Sequence, residues 1–185
     1  MTIYFLRHEE RDMSNPLFYS QLTANGKHNA NNNLPKTLKS LNIKTIYCSP
    51  FLRTLQTIQQ YSKESNIQIN IEPAISEYIH NDKFKDNDNF KIEYNEEFNI
   101  NHSYSCYQNI NTIKYKENEI ELKKRTHKFL SYLLSISDNN DNILLVSHMG
   151  TINAMLDYFI PTDFYFKFDM GKVAKIENNK IVFIN

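Results

Sequence analysis

Four stretches of this 185-residue chain carry side chains able to do chemistry, and each follows a short apolar run. Arg7-His8 follows residues 2–6, Ser49 and Arg53 follow 45–48, Glu77 follows 67–71, and Ser147-His148 closes 142–146. Two histidines, two or three arginines and one carboxylate make a set suited to phosphoryl transfer. A neutral imidazole can attack phosphorus in line and hold the phosphoryl group as a phosphoramidate. It needs its other ring nitrogen fixed by an acceptor, usually a backbone carbonyl. Arg7, Arg53 and Arg11 would supply fixed positive charge to the phosphoryl oxygens, with His148 as a further donor. Glu77 would protonate the leaving oxygen if its surroundings raise its pKa, and then activate water; Glu72 and Glu9 compete for that role. Fixed cations would do the work of Mg²⁺ in kinases, so neither a metal nor a cofactor is expected.

Composition sharpens this choice. Lysine outnumbers arginine 17 to 4, and only Gly26, Gly150 and Gly171 are glycine. In a chain so biased, a retained arginine points to planar, bidentate gripping of an oxyanion, which lysine cannot do. Arg125 is the exception and reads as a solvated residue on a helix. His28, His80, His102 and His127 read as surface or loop residues. His102 and Cys106 are spaced like half of a zinc site that no second pair completes.

The elements must bring these groups together. Short runs rich in β-formers predict strands over 2–6 and 45–48, alternating Ile67, Ile69 and Ile71 one over 67–71, and a near-continuous apolar run one over 142–146, central and covered on both faces. Thr23 caps a predicted helix over 24–41 that Pro35 should kink or split. Pro50, at a first helical position, opens a helix over 50–65 with Leu52, Leu55, Ile58 and Tyr61 inward. A long amphipathic helix is predicted over 117–137, with Leu122, Phe129, Leu130, Leu133 and Leu134 inward. A further helix opens at Ser147-His148-Met149-Gly150 and runs to about Phe159. The tail predicts a hairpin of 172–177 and 180–184 turning at Asn178-Asn179. Strands alternating with helices imply an α/β fold, a three-layer α/β/α sandwich with a mostly parallel central sheet. Ligands bind such sheets beyond the carboxyl ends of the strands, where the polar groups above converge.

The length predicts one domain over 1–185, with a polar insertion or lid at about 78–116. Its Tyr-rich stretch, 94–115, would either line a substrate lid or form a satellite hydrophobic patch. Lys+Arg and Asp+Glu are 21 each, so the basic footprint of a nucleic-acid binder is absent. No apolar run reaches the roughly 20 residues that span a bilayer, and the first residues do not read as a signal peptide. Cys48 and Cys106 make no disulfide framework, so a reducing, cytoplasmic compartment is expected. The expected partner is a small phosphorylated substrate, with neither nucleic acid nor membrane.

The motifs resemble those of the histidine phosphatase superfamily, also called the phosphoglycerate mutase-like family. Leu6-Arg7-His8-Glu9-Glu10 resembles its Leu-Arg-His-Gly-Glu signature. Leu22-Thr23-Ala24-Asn25-Gly26 is similar to Leu-Thr-x-x-Gly, and Asn29-Ala30 stands where Gln-Ala is usual. Cys48-Ser49-Pro50-Phe51-Leu52-Arg53-Thr54-Leu55-Gln56-Thr57 resembles Ser-Ser-Pro-x-x-Arg-x-x-Gln-Thr. Pro73-Ala74-Ile75-Ser76-Glu77 and Val146-Ser147-His148-Met149-Gly150 complete the order. The resemblance implies a phosphoglycerate mutase-like fold and a phosphatase-type activity. It implies His8 as the phosphorylated nucleophile, Glu77 as proton donor, and Arg7, Arg53 and His148 as phosphate ligands. Arg11 matches a variant signature, Arg-His-Gly-Glu-Arg-x-Asp, whose second arginine faces the pocket, although Asp12 comes one place early. Glu9 and Met149 replace family glycines; a glutamate after the nucleophile must point away from the phosphate or oppose it. Two alternatives follow: a phosphoglycerate mutase-like phosphotransferase, disfavoured by the short chain, or a phospho-ligand binding module disabled by Glu9.

Overall fold

The computed structural model describes residues 1–14, 18–78, 97–112, 116–161 and 165–185. Six strands form one sheet: β1 (Thr2–Arg7), β2 (Thr45–Cys48), β3 (Ile69–Ile71), β4 (Asn142–Ser147), β5 (Val173–Glu177) and β6 (Lys180–Phe183). Their spatial order is β3-β2-β4-β1-β5-β6. The first four pair in parallel, while β5 and β6 join antiparallel. The helices are α1 (Ala24–Asn32), α2 (Leu34–Lys39), α3 (Leu52–Ser65), α4 (Glu119–Ile136) and α5 (Met149–Phe159).

The two faces of the sheet explain the layers. Ile3 and Phe5 of β1 and Ile143 and Leu145 of β4 pack with Phe129, Leu130 and Leu133 of α4 and Ile152, Met155 and Leu156 of α5. The intervening Tyr4, Leu6, Leu144 and Val146 point the other way, onto Leu34 and Leu38 of α2 and Leu55, Ile58 and Tyr61 of α3. Successive strand side chains alternate faces, so apolar residues at every position require helices on both sides. The expected three-layer α/β/α arrangement with a mostly parallel sheet is therefore present, and β4 is central. No helix among the described residues is long and apolar enough to cross a membrane.

Several boundaries follow from local chemistry. Thr23 accepts from Gly26 N at 3.0 Å and caps α1, and Pro35 in the first turn of α2 splits the expected single helix at Asn33. Pro50 does not open α3. Phe51 stays extended (φ −70°, ψ 136°) and the helix starts at Leu52, whose N–H donates to Phe18 O at 3.2 Å. The later start buries the Phe51 ring 4.9 Å from that of His148. β3 is shorter than 67–71 because Ile67 N–H caps α3 instead. It donates to Ser62 O at 3.1 Å after a left-handed Asn66 (φ 57°). Asn178 and Asn179, both at positive φ, make the tail turn as expected.

Of the expected insertion at 78–116, residues 79–96 and 113–115, with His80, Tyr94 and Tyr115, lie outside the described residues. Residues 99–101 pair along the outer side of β3. Asn99 O accepts from Ile69 N at 2.8 Å, and Asn101 N donates to Ile69 O at 2.9 Å. Buried Glu72 then ties the segment down, accepting from Tyr104 Oη and Tyr107 N at 2.7 Å each and Gln108 N at 3.3 Å. Tyr107 stacks on Tyr132 of α4 at 4.8 Å, so this part of the Tyr-rich stretch is a satellite aromatic patch.

Candidate active site

Parallel register aligns the carboxyl ends of four strands. Arg7 pairs with Ser147, and Cys48 pairs with both Val146 and Ile71. His8 N donates to Ser147 O at 3.0 Å, Ser49 N to Val146 O at 3.0 Å, and Glu72 N to Cys48 O at 2.9 Å. The residues just past these ends therefore share one edge. His8 and His148 are 2% and 0% exposed, with ring centroids 5.2 Å apart.

His8 Nδ1 lies 2.8 Å from the carbonyl oxygen of Glu9. A carbonyl can only accept, so Nδ1 carries the proton and Nε2 keeps its lone pair. Burial lowers the His8 pKa well below 6.5, and the charges of Arg53, Arg7 and Arg11 push it the same way, so the ring is neutral. The Glu9 peptide is gripped from α3: its N–H donates to Thr57 Oγ1 at 2.9 Å, and that hydroxyl donates to Arg53 O at 2.7 Å. His148 caps the start of α5. Its Nε2 is 2.8 Å from Ser49 Oγ, and its buried Nδ1 has no hydrogen-bond partner among the described residues and lies 3.4 Å from Glu77 Oε2. Burial, then Arg53 and His8, keep its pKa well below 6.5 as well.

Arg53, 1% exposed, donates from Nη2 to Glu77 Oε2 at 3.1 Å and lies 4.5 Å above the Phe51 ring. Burial lowers its pKa to about 10 against the pull of Glu77, so it remains cationic at neutral pH. Arg7 Nη1 donates to Phe168 O at 2.6 Å and meets Met149 Sδ at 3.6 Å, while its buried Nε has no hydrogen-bond partner among the described residues. Arg11 is partly exposed and donates at 3.4 Å to Asp12 O. It contacts none of the other groups, although its charge contributes to the lowered pKa values of Arg7, His8, Arg53 and His148. Asp12 is turned into its own loop, accepting from Ser14 N at 2.8 Å.

Glu9 points away from this pocket. Its carboxylate lies against Gly171 (φ +74°), where a Cβ would overlap it. Burial raises its pKa, opposed by hydrogen bonds that include the Asn29 side chain. Gly171 N in turn contacts the carbonyls of Arg7 and His8 at 3.1 and 3.2 Å. On the other flank a Cβ at Gly26 would overlap the Glu10 carbonyl, so glycine lets α1 pack against the same loop. Glu72 is spent on the hydrogen bonds described above and does not compete for the role expected of Glu77.

Arg125 corrects the reading of a solvated residue. It lies on the buried stripe of α4, three residues after Leu122 and four before Phe129, and is 7% exposed. Both its Nε and Nη2 donate to Glu117, itself buried. His28 and His102 are exposed, as expected, and His127 lies half-buried between α4 and α5, 3.0 Å from Ala154 O.

Donor atoms of His8, Glu77 and His148 lie within 4.8 Å of one another, a spacing that a divalent metal could use. The surrounding charge favours an anion instead. Arg53 is already bonded to that carboxylate, and Arg7 and Arg11 add positive charge. Among the described residues Arg7 Nε is a buried donor without a hydrogen-bond partner, and it suits a tetrahedral oxyanion oxygen.

Residues 3–180 match the family profile of the histidine phosphatase superfamily, branch 1. The fold is similar to that of the ecdysone phosphate phosphatase from Bombix mori, at 16% identity and TM-score 0.69 over 100% of this chain and 92% of that one. It is similar to a phosphoserine phosphatase from Entamoeba histolytica, at 16% identity and TM-score 0.69 over 98% and 94% of the two chains. The alpha-ribazole phosphatase from Shigella flexneri gives 17% identity and TM-score 0.67 over 99% and 94%. No curated protein sequence matches the chain.

Proposed function

The chain belongs to branch 1 of the histidine phosphatase superfamily, and we propose that it hydrolyses a small phosphomonoester without a metal, through a phosphohistidine on His8. The observation that carries this reading is the His8 ring, neutral and anchored through Nδ1 to the Glu9 carbonyl at 2.8 Å. That anchoring leaves the Nε2 lone pair for attack on phosphorus among Arg7, Arg53 and His148.

The first step forms the Nε2–P bond and breaks the bond from phosphorus to the ester oxygen. The departing oxygen takes its proton by way of the Glu77 carboxyl. The Glu77 carboxylate then takes a proton from water, whose oxygen attacks phosphorus as the P–N bond breaks. Inorganic phosphate leaves and both residues return to their starting states. Arg53 serves twice, facing the phosphoryl oxygens and holding Glu77 Oε2. Arg11 adds longer-range charge to the same pocket. The turned-away Glu9 carboxylate supports a catalytic role over a disabled binding module.

The test is hydrolysis of para-nitrophenyl phosphate between pH 4 and 8 with a chelator present. Wild type should turn over with chelator, and His8→Ala should lose at least about 10³-fold in kcat while still binding inorganic phosphate. Activity abolished by chelator and restored by zinc or magnesium would overturn the reading, as would an active His8→Ala variant.

A further inference from the structure

Residues 74–77 carry Glu77 to the pocket but belong to no strand, and only a 3-10 turn over Pro73–Ile75 orders their start. Their four successive carbonyls are nevertheless all taken by side chains from elsewhere. Ser147 Oγ donates to Ile75 O at 2.7 Å, and Thr151 Oγ1 to Ser76 O at 2.7 Å. Arg125 takes the other two and shares Ser76 O: Nη1 donates to Ala74 O at 2.8 Å and Ser76 O at 3.3 Å, and Nη2 reaches Glu77 O at 3.5 Å. One guanidinium thus spans three of the four carbonyls. It is itself held in plane by Glu117, eight residues earlier, through Nε at 3.1 Å and Nη2. Arg125 touches no side chain of the phosphate pocket.

We infer that Arg125 is a positioning residue that sets the Glu77 carboxylate, with Glu117 as its brace. This rests on the assignment of Glu77 as proton donor. Burying an ion pair is poorly explained by stability alone, since apolar residues of similar volume often serve as well or better. A planar five-donor fork suits a row of carbonyls, and a lysine ammonium cannot reproduce it. The assignment also explains why arginine is kept here in a lysine-rich chain.

The test compares two esters. Departure of para-nitrophenolate needs little protonation, whereas the alkoxide of glycerol 2-phosphate needs a full proton. Glu77→Gln should lower kcat on the alkyl ester about 10²-fold more than on the aryl ester. Arg125→Lys should show the same selectivity, about tenfold, with KM and inhibition by inorganic phosphate unchanged. Glu117→Gln should follow in the same direction. Placed on Glu77→Gln, Arg125→Lys should add no further selectivity. Selective loss in Glu77→Gln with equal or no loss on the two esters in Arg125→Lys would overturn the positioning role while leaving the donor intact. Equal loss on both esters in Glu77→Gln would overturn the donor assignment itself. A second readout needs no substrate: amide exchange over 74–78 should accelerate in Arg125→Lys while that of β1 and β4 does not. Unchanged exchange would overturn the proposal.

Discussion

At the scale of single residues, Glu9 and Gly171 form a coupled pair beside His8. Glu9 is buried with a raised pKa, so at neutral pH its ionised form opposes folding. Between the ordinary carboxylate value and the raised one, the folded state binds more protons, and stability falls as pH rises through that window. Glu9→Gln is therefore expected to raise Tm at pH 7, with the gain shrinking as pH falls toward the ordinary carboxylate value, and to leave kcat/KM nearly unchanged. Gly171→Ala should cost at least about 1–2 kcal/mol, from its positive φ and the overlap with Glu9. Combining it with Glu9→Gly should recover part of that cost, as a thermal-denaturation double-mutant cycle would measure. His8, Arg53, Glu77 and His148 were legible because each follows an apolar run within a recognisable motif. Arg125 was not, although a signal existed: its position between Leu122 and Phe129 lies on the apolar stripe. Charge type outweighed helical phase in that reading. The partner that makes its burial tolerable, Glu117, lies just before the helix and follows no helical spacing.

At the scale of elements, α4 carries the guanidinium that reaches the loop bearing Glu77, so its start matters. Asn118 and Glu121 form a reciprocal capping box: Asn118 Oδ1 accepts from Glu121 N at 2.9 Å, and Glu121 Oε2 from Asn118 N at 3.0 Å. Asn118→Ala is expected to cost about 1 kcal/mol in chemical denaturation. Strand and helix order could be read from periodicity and caps. The end positions shifted where one backbone group had two possible uses. Ile67 could extend β3 or close α3, and the left-handed Asn66 gives it to the helix. Pro50 could open α3, but burying Phe51 beside His148 delays the start by two residues. Such choices depend on tertiary contacts that no local window contains.

At the scale of the whole molecule, the paired buried histidines make acid stability a property of the site. Both are held well below 6.5, mainly by burial. Below pH 6.5 the unfolded chain binds protons that the folded chain does not, so stability must fall as pH drops. The raised carboxyls of Glu9 and Glu72 act in the opposite sense and soften the lower part of that fall. Tm should therefore decline from pH 7 to pH 5, and saturating inorganic phosphate should raise it at each pH. A flat Tm profile would mean that the two rings are protonated without cost. The four-strand convergence was legible at this scale because a parallel sheet puts every strand's carboxyl end on one edge. The closing of the β3 side by residues 99–101 was not, since a polar stretch without period gives no hint of its docking place. That closing has a consequence for behaviour in concentrated solution. Ile67, Ile69 and Ile71 form an apolar segment at an outer edge, the kind that recruits strands from other chains. The backbone of Asn99 and Asn101 already occupies the amide and carbonyl of Ile69. The segment docked on β3 therefore guards against intermolecular sheet growth, and changes that loosen it would appear first as aggregation rather than as lost turnover.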